Sequence, residues 1–180
     1  RPRDWSSDVC SSDLEWRAVR SRPQRNAYHR FTVDRHLLET AAEAAALLDA
    51  PEGSADAEVV AGLDRPDLLL LAALLHDIGK GQGGDHAEIG ADLARAFATR
   101  MGLGEPDVAR VEWAVRHHLL MADTATRRDL ADPTTIERFT ARASDAESVV
   151  LLHALTVADS RATGPAAWSA RSEEHTSELQ

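Results

Sequence analysis

The chain has 180 residues, a formal net charge of −10, 43% hydrophobic residues and only 4% aromatic ones. That length accommodates one domain with a sizeable core, and no apolar run approaches the ~20 residues that a membrane span requires. An acidic chain without a basic stripe argues against nucleic acid as a partner, and a single cysteine leaves no disulfide framework, as suits a reducing cytoplasm.

The chain opens on Arg1 rather than methionine and is read as a piece of a longer protein. Residues 1–14 and 171–180 show neither an apolar period nor capping logic. Both resemble translated sequencing adapters and are expected to lie outside the fold. Setting them aside removes the only cysteine, Cys10, and leaves 17 basic and 24 acidic residues, net −7. Residues 15–32 are read as a linker and 33–170 as the domain.

Everything readable in the body is helix, with abundant Ala and Leu, no β-branched alternation and no internal repeat. A first helix is predicted over 33–48, with Thr32 as N-cap and Asp34 favourable in the first turn. Positions 33, 37, 40, 44, 47 and 48 form its inner face, with His36 at the edge. The small, acidic stretch 51–63 reads as a solvent loop. Pro66 suits the first position of a helix that is apolar all round and therefore central. That helix ends at His76-Asp77, where Gly79 is the predicted stop, followed by glycines at 81, 83 and 84. Asp85-x-x-Glu88 resembles a capping box and puts His86 in the first turn of the next helix. Pro106 opens another, on which Val108, Val111, Val115 and His118 share a face. Pro133 begins a short helix to about 141. Ser144-x-x-Glu147 is predicted to cap the last, along which Leu152, Leu155 and Asp159 align.

Seven histidines remain in the body, and any one alone reads more naturally as a surface or core residue than as a ligand. Their company changes that. His76-Asp77 follows eight residues with no polar side chain, and a carboxylate there is expensive to bury without a cation. Asp159 aligns with Leu152 and Leu155 near a helix C-terminus, where the macrodipole disfavours negative charge by about 0.3–1 kcal/mol, and an aspartate that simply points to solvent is the plain alternative. A metal ion would compensate both.

The order His36, His76-Asp77, Asp159 resembles the signature of the HD-domain metal phosphohydrolases. The form His-Asp-Ile-Gly-Lys at 76–80, with His86 and the pair His117-His118, is similar to the members that hold two metals. Longer strings narrow the resemblance, over about 23–170, to the HD domain of the bacterial bifunctional uridylyltransferase/uridylyl-removing enzymes, actinobacterial type. These strings are Arg25-Asn26-Ala27-Tyr28-His29-Arg30-Phe31-Thr32-Val33-Asp34-Arg35-His36, Asp123-Thr124-Ala125-Thr126-Arg127-Arg128-Asp129-Leu130, His153-Ala154-Leu155-Thr156-Val157-Ala158-Asp159-Ser160, and Thr163-Gly164-Pro165-Ala166-Ala167-Trp168-Ser169-Ala170.

The resemblance implies an all-α HD bundle with a central metal site, and no nucleotidyltransferase or ACT region within this piece. It implies hydrolytic removal of UMP, or of AMP as in some actinobacterial relatives, from a modified tyrosine of the PII nitrogen-signalling protein. The first ion is assigned His36, His76, Asp77 and Asp159. The second is assigned His86, His117 and His118, with Asp77 bridging. An imidazole-rich set favours Mn, Fe, Co, Ni or Zn; Mn is the choice, with Mg use in the family left open. Two such cations can share and acidify one water and clamp a phosphoryl oxygen. Asp77 and Lys80 are the catalytic candidates. Lys80, Arg127 and Arg128 are candidate phosphate or PII contacts, while a solvated loop lysine and a solvated charge run remain the plain alternatives. His29 and His153 read as structural. A non-hydrolysing nucleotide-binding module and a di-iron oxygenase of HD type are the competing functions.

Overall fold

Proline in the first turn, or aspartate or serine just before it, marks where six of the described helices begin. The computed structural model describes residues 14–24 and 30–164. The expectations for 1–13, 165–180 and His29 lie outside the described residues. Among those described, every regular element is a helix: α1 Leu14–Arg17, α2 Val33–Leu48, α3 Ala55–Val60, α4 Pro66–Leu75, α5 His86–Arg100, α6 Glu105–Arg116, α7 Leu120–Arg127, α8 Pro133–Thr140 and α9 Ala146–Thr163.

Helix α4 is the axis of the structure, touching α2, α5, α6 and α9. Its all-round apolar sequence lets it serve two core clusters at once. Leu69, Ala72 and Ala73 pack with Ala44 and Leu47 of α2 and with Leu151 and Leu155 of α9. Leu68 and Leu75 pack on the other side with Leu37, Val111, Val115 and Ile78. Burying a leucine completely, as at Leu69, contributes about 1.5–3 kcal/mol. Because α4 stops between the two clusters, His76 and Asp77 emerge at the centre of the bundle. Val19, from the stretch read as a linker, is fully buried in the second cluster.

The structure corrects several local expectations. Residues 51–63 are not all loop: Ser54 accepts a bond from the Ala57 amide at 3.2 Å and starts α3. Although α3 has no fully buried residue, Val59, Val60 and Leu63 pack on the core. Two bonds from Arg161 to Asp56, 2.7 and 2.9 Å, tie it to α9. Helix α7 has no N-cap bond and no buried residue, so nothing in its sequence announces it. Asp145 rather than Ser144 caps α9, accepting from the Ser148 amide at 2.7 Å. Only half of the box at 85–88 forms: Asp85 accepts from the Ala87 amide, while Glu88 pairs with Arg116. Leu48 is half-buried, whereas His36, placed at the face's edge by its spacing, is 1% exposed.

Gly79 is not the left-handed stop that the sequence suggests. Positive φ falls instead at Gly81, at 87°. What Gly79 provides is proximity: a Cβ there would collide with the His86 carbonyl and lie 2.6 Å from the Gly90 amide nitrogen. Gly90 in turn leaves only 3.2 Å between its own Cβ position and Val115. Two glycines thus let the His76–Lys80 turn sit directly on the start of α5.

Candidate metal centre

Five helices deliver side chains to one point. His36 comes from α2, where Thr40 Oγ1 donates to its carbonyl oxygen at 2.9 Å. His76 and Asp77 come from the end of α4, His86 from the first position of α5, His118 from just beyond α6, and Asp159 from α9. His36, His76, Asp77 and His118 are all less than 5% exposed.

The donor atoms fall into two groups. In the first, His36 Nε2 lies 3.2 Å from His76 Nε2 and 2.9 Å from Asp159 Oδ1, with His76 Nε2 3.6 Å from the same oxygen. In the second, Asp77 Oδ1 lies 3.6 Å from both His86 Nε2 and His118 Nε2. Asp77 Oδ2 faces the first group, 3.8 Å from His36 Nε2 and 3.6 Å from His76 Nε2. Ligands held about 2.0–2.2 Å from a transition metal stand roughly 3–3.5 Å from one another, and the separations here, 2.9–3.6 Å, lie close to that spacing. One carboxylate with an oxygen toward each set can bridge two ions.

The protonation chemistry fits a cation as well. His76 Nδ1 lies 2.8 Å from the Ala73 carbonyl and His118 Nδ1 2.7 Å from that of Val115. A carbonyl only accepts, so each Nδ1 carries the proton and each Nε2 presents a lone pair. His118 Nε2 is buried with no hydrogen-bond partner, an arrangement that a metal ion explains and water exclusion otherwise makes costly. Burial pushes the Asp77 carboxyl up, but His76, Lys80 and His118 outweigh it and hold the group at about 2. Burial likewise raises Asp159, and the bond from His36 with the charges of His76 and His118 keeps it well below the usual carboxylate range. Burial, reinforced by His76, depresses His118 to about 4. Ionised carboxylates and neutral imidazole are the ligand forms of these groups near neutral pH.

Of the sequence candidates, His36, His76, Asp77, His86, His118 and Asp159 are brought together. His117 is not. As the C-cap of α6 it turns onto the Trp113 ring, with centroids 5.1 Å apart, while its neighbour His118 points inward. Burial, with Arg116 and Arg142 nearby, lowers the His117 pKa from its ordinary value. Lys80 reaches the cluster, its Nζ 2.5 Å from Asp77 Oδ2. Arg127 and Arg128 stand exposed at the end of α7, with Arg127 3.5 Å from Asp123. His153 is exposed on α9.

Sequence reasoning passed over two residues that touch this group. Thr163 Oγ1 donates to Asp159 Oδ1 at 3.4 Å, and Gln24 Oε1 accepts from Lys80 at 2.8 Å. The i, i+4 spacing to Asp159 could have flagged Thr163. Nothing local marks Gln24.

Comparison with known proteins agrees with this geometry. The chain matches the HD domain over residues 33–163. It is 52% identical over 155 residues to the bifunctional uridylyltransferase/uridylyl-removing enzyme of Streptomyces coelicolor, a stretch covering 86% of this chain and 17% of that protein. The like-named protein of Mycobacterium tuberculosis is 52% identical over 156 residues, and that of Bordetella pertussis 42% over 158, each match covering 86% of this chain and 18% of the relative. The chain thus spans less than a fifth of the length of these relatives. On the strength of the family match and the helical bundle that gathers its histidines and aspartates, the chain belongs to the HD-domain family.

Proposed function

We propose that this domain hydrolyses a phosphodiester, releasing UMP from a modified tyrosine of the PII signalling protein in the cytoplasm. The observation that carries the reading is the pair of donor groups joined by Asp77. The relatives' name, uridylyl-removing enzyme, supplies the substrate class.

His36, His76 and Asp159 would hold one divalent ion, and His86 and His118 the other, with Asp77 shared. The imidazole content favours a transition metal over Mg, and Mn is the ion we choose among them. Bound there, such ions supply Lewis acidity to a phosphoryl oxygen and to the attacking water. The chain's own contribution is fixed geometry. Backbone carbonyls of Ala73 and Val115 orient two imidazoles, and the Gly79–Gly90 contact sets His86 against Asp77. Lys80 lies beside the Asp77 carboxylate, and its ammonium would pair with a phosphate oxygen of the substrate. Arg127 and Arg128 are exposed cations available to the nucleotide or to PII.

The test is release of nucleotide from uridylylated and adenylylated PII, side by side, by metal-stripped protein with and without added Mn. Mn-dependent release of UMP supports the proposal. Preference for the adenylylated form would change the nucleotide to AMP, and no release from either with Mn bound would refute hydrolysis of nucleotidylated PII.

A further inference from the structure

We propose that Gln24 is a positioning residue for Lys80, offering the ammonium a second resting place when a cation occupies Asp77. The proposal rests on reading the His/Asp cluster as a metal centre.

Lys80 Nζ has two oxygens in reach: Asp77 Oδ2 at 2.5 Å and Gln24 Oε1 at 2.8 Å. Asp77 Oδ2 is the oxygen turned toward the His36–His76 group. A cation drawn by that group and a lysine ammonium cannot both sit on one carboxylate oxygen without repulsion. Lys80 must therefore give up that contact as the cation arrives, and Gln24 is the neutral acceptor that keeps it nearby. Lys80 is then free of Asp77 and available to a substrate anion, without being released to solvent.

Gln24 is held firmly enough for this role, because the segment before it is pinned at several points. Val19 is fully buried. The Ser21 amide donates to Asp34 Oδ2 at 2.8 Å, and the Val33 amide donates to the Arg22 carbonyl at 2.8 Å. Arg22 donates to the Gly81 carbonyl at 3.1 Å, one residue beyond Lys80. An ammonium can only donate, so the Gln24 amide must turn its oxygen to Lys80. That orientation leaves Gln24 Nε2 buried without a partner. An amide placed merely to satisfy itself would not be expected to accept that cost.

The experiment is calorimetric Mn binding to the full chain in a double-substitution cycle of Gln24→Ala and Lys80→Ala, with thermal melts checking the fold. In Gln24→Ala, Lys80 has only Asp77 to rest on and competes with the ion. Mn affinity should fall roughly tenfold, the usual scale for a residue acting through a ligand. Lys80→Ala should bind Mn at least as tightly as the parent, and adding Gln24→Ala to it should change nothing further. Gln24→Glu, which keeps an oxygen acceptor, should restore parental affinity. Gln24→Asn, which withdraws the carbonyl by one methylene, should weaken Mn in the same sense as alanine and guards against a folding effect. An equal loss in both Lys80 backgrounds, or no loss in either, overturns the proposal. Absence of Mn binding in the unsubstituted chain overturns the metal reading beneath it, an outcome seen before any substitution is made.

Discussion

Gly79 and Gly90 meet backbone to backbone, so closely that a single methyl on Gly79 would lie 2.6 Å from the Gly90 nitrogen. Gly79→Ala is therefore expected to push the turn carrying His76 and Asp77 away from α5. Overpacking of this kind costs about 1–3 kcal/mol. The distinguishing readout is bound Mn per chain: it should fall even at temperatures where circular dichroism shows the variant folded. Undiminished Mn content would mean that the close approach does not set the site.

The neighbours His117 and His118 should separate cleanly. His118 Nε2 is a buried lone pair beside Asp77, while His117 rests on Trp113. Elemental analysis of dialysed protein should show one bound ion lost in His118→Ala and none in His117→Ala. The opposite pattern would restore His117 as a ligand.

The same pair shows where the sequence stops being legible. Helical periodicity places every residue of a continuous helix, and it located His36, the end of α4 and Asp159. Helix α6, however, ends at Arg116. The face of Val108, Val111 and Val115 still carries on to His118, which is buried beside Asp77, whereas His117 joined the ligand set only through the family resemblance and rests on Trp113. The short helices α3 and α7 escaped for a related reason: neither has a buried residue, and an apolar period needs one. Gly79 illustrates a third limit. A glycine after a helix suggests a stop, and only the approach of α5 reveals that the missing side chain makes room for another backbone.

Asp145 should make α9 sensitive to acid. Its carboxylate accepts from the Ser148 amide, and that bond lowers its pKa from the ordinary 3.8. A depressed folded-state pKa gives stability that is fully present above the unfolded value and is lost as pH falls through the folded one. Loss of the cap in Asp145→Ala should cost about 1 kcal/mol at neutral pH. In urea unfolding, the gap between parent and variant should narrow on going from about pH 7 to about pH 3. A gap that stays constant would mean that the ionised cap is not its source.

Asp77 presents an oxygen to each donor group, and the proposed chemistry stands or falls with it. The most direct test is single-turnover hydrolysis of uridylylated PII at saturating Mn, comparing the parent with Asp77→Asn and His153→Gln. Asp77→Asn keeps the size but removes the shared charge, and should slow release of UMP by several orders of magnitude while remaining folded by circular dichroism. His153→Gln alters an exposed side chain on α9 and should leave the rate near that of the parent. Near-parental hydrolysis by folded Asp77→Asn, with loss of activity in His153→Gln, would contradict the assignment of this cluster as the catalytic centre.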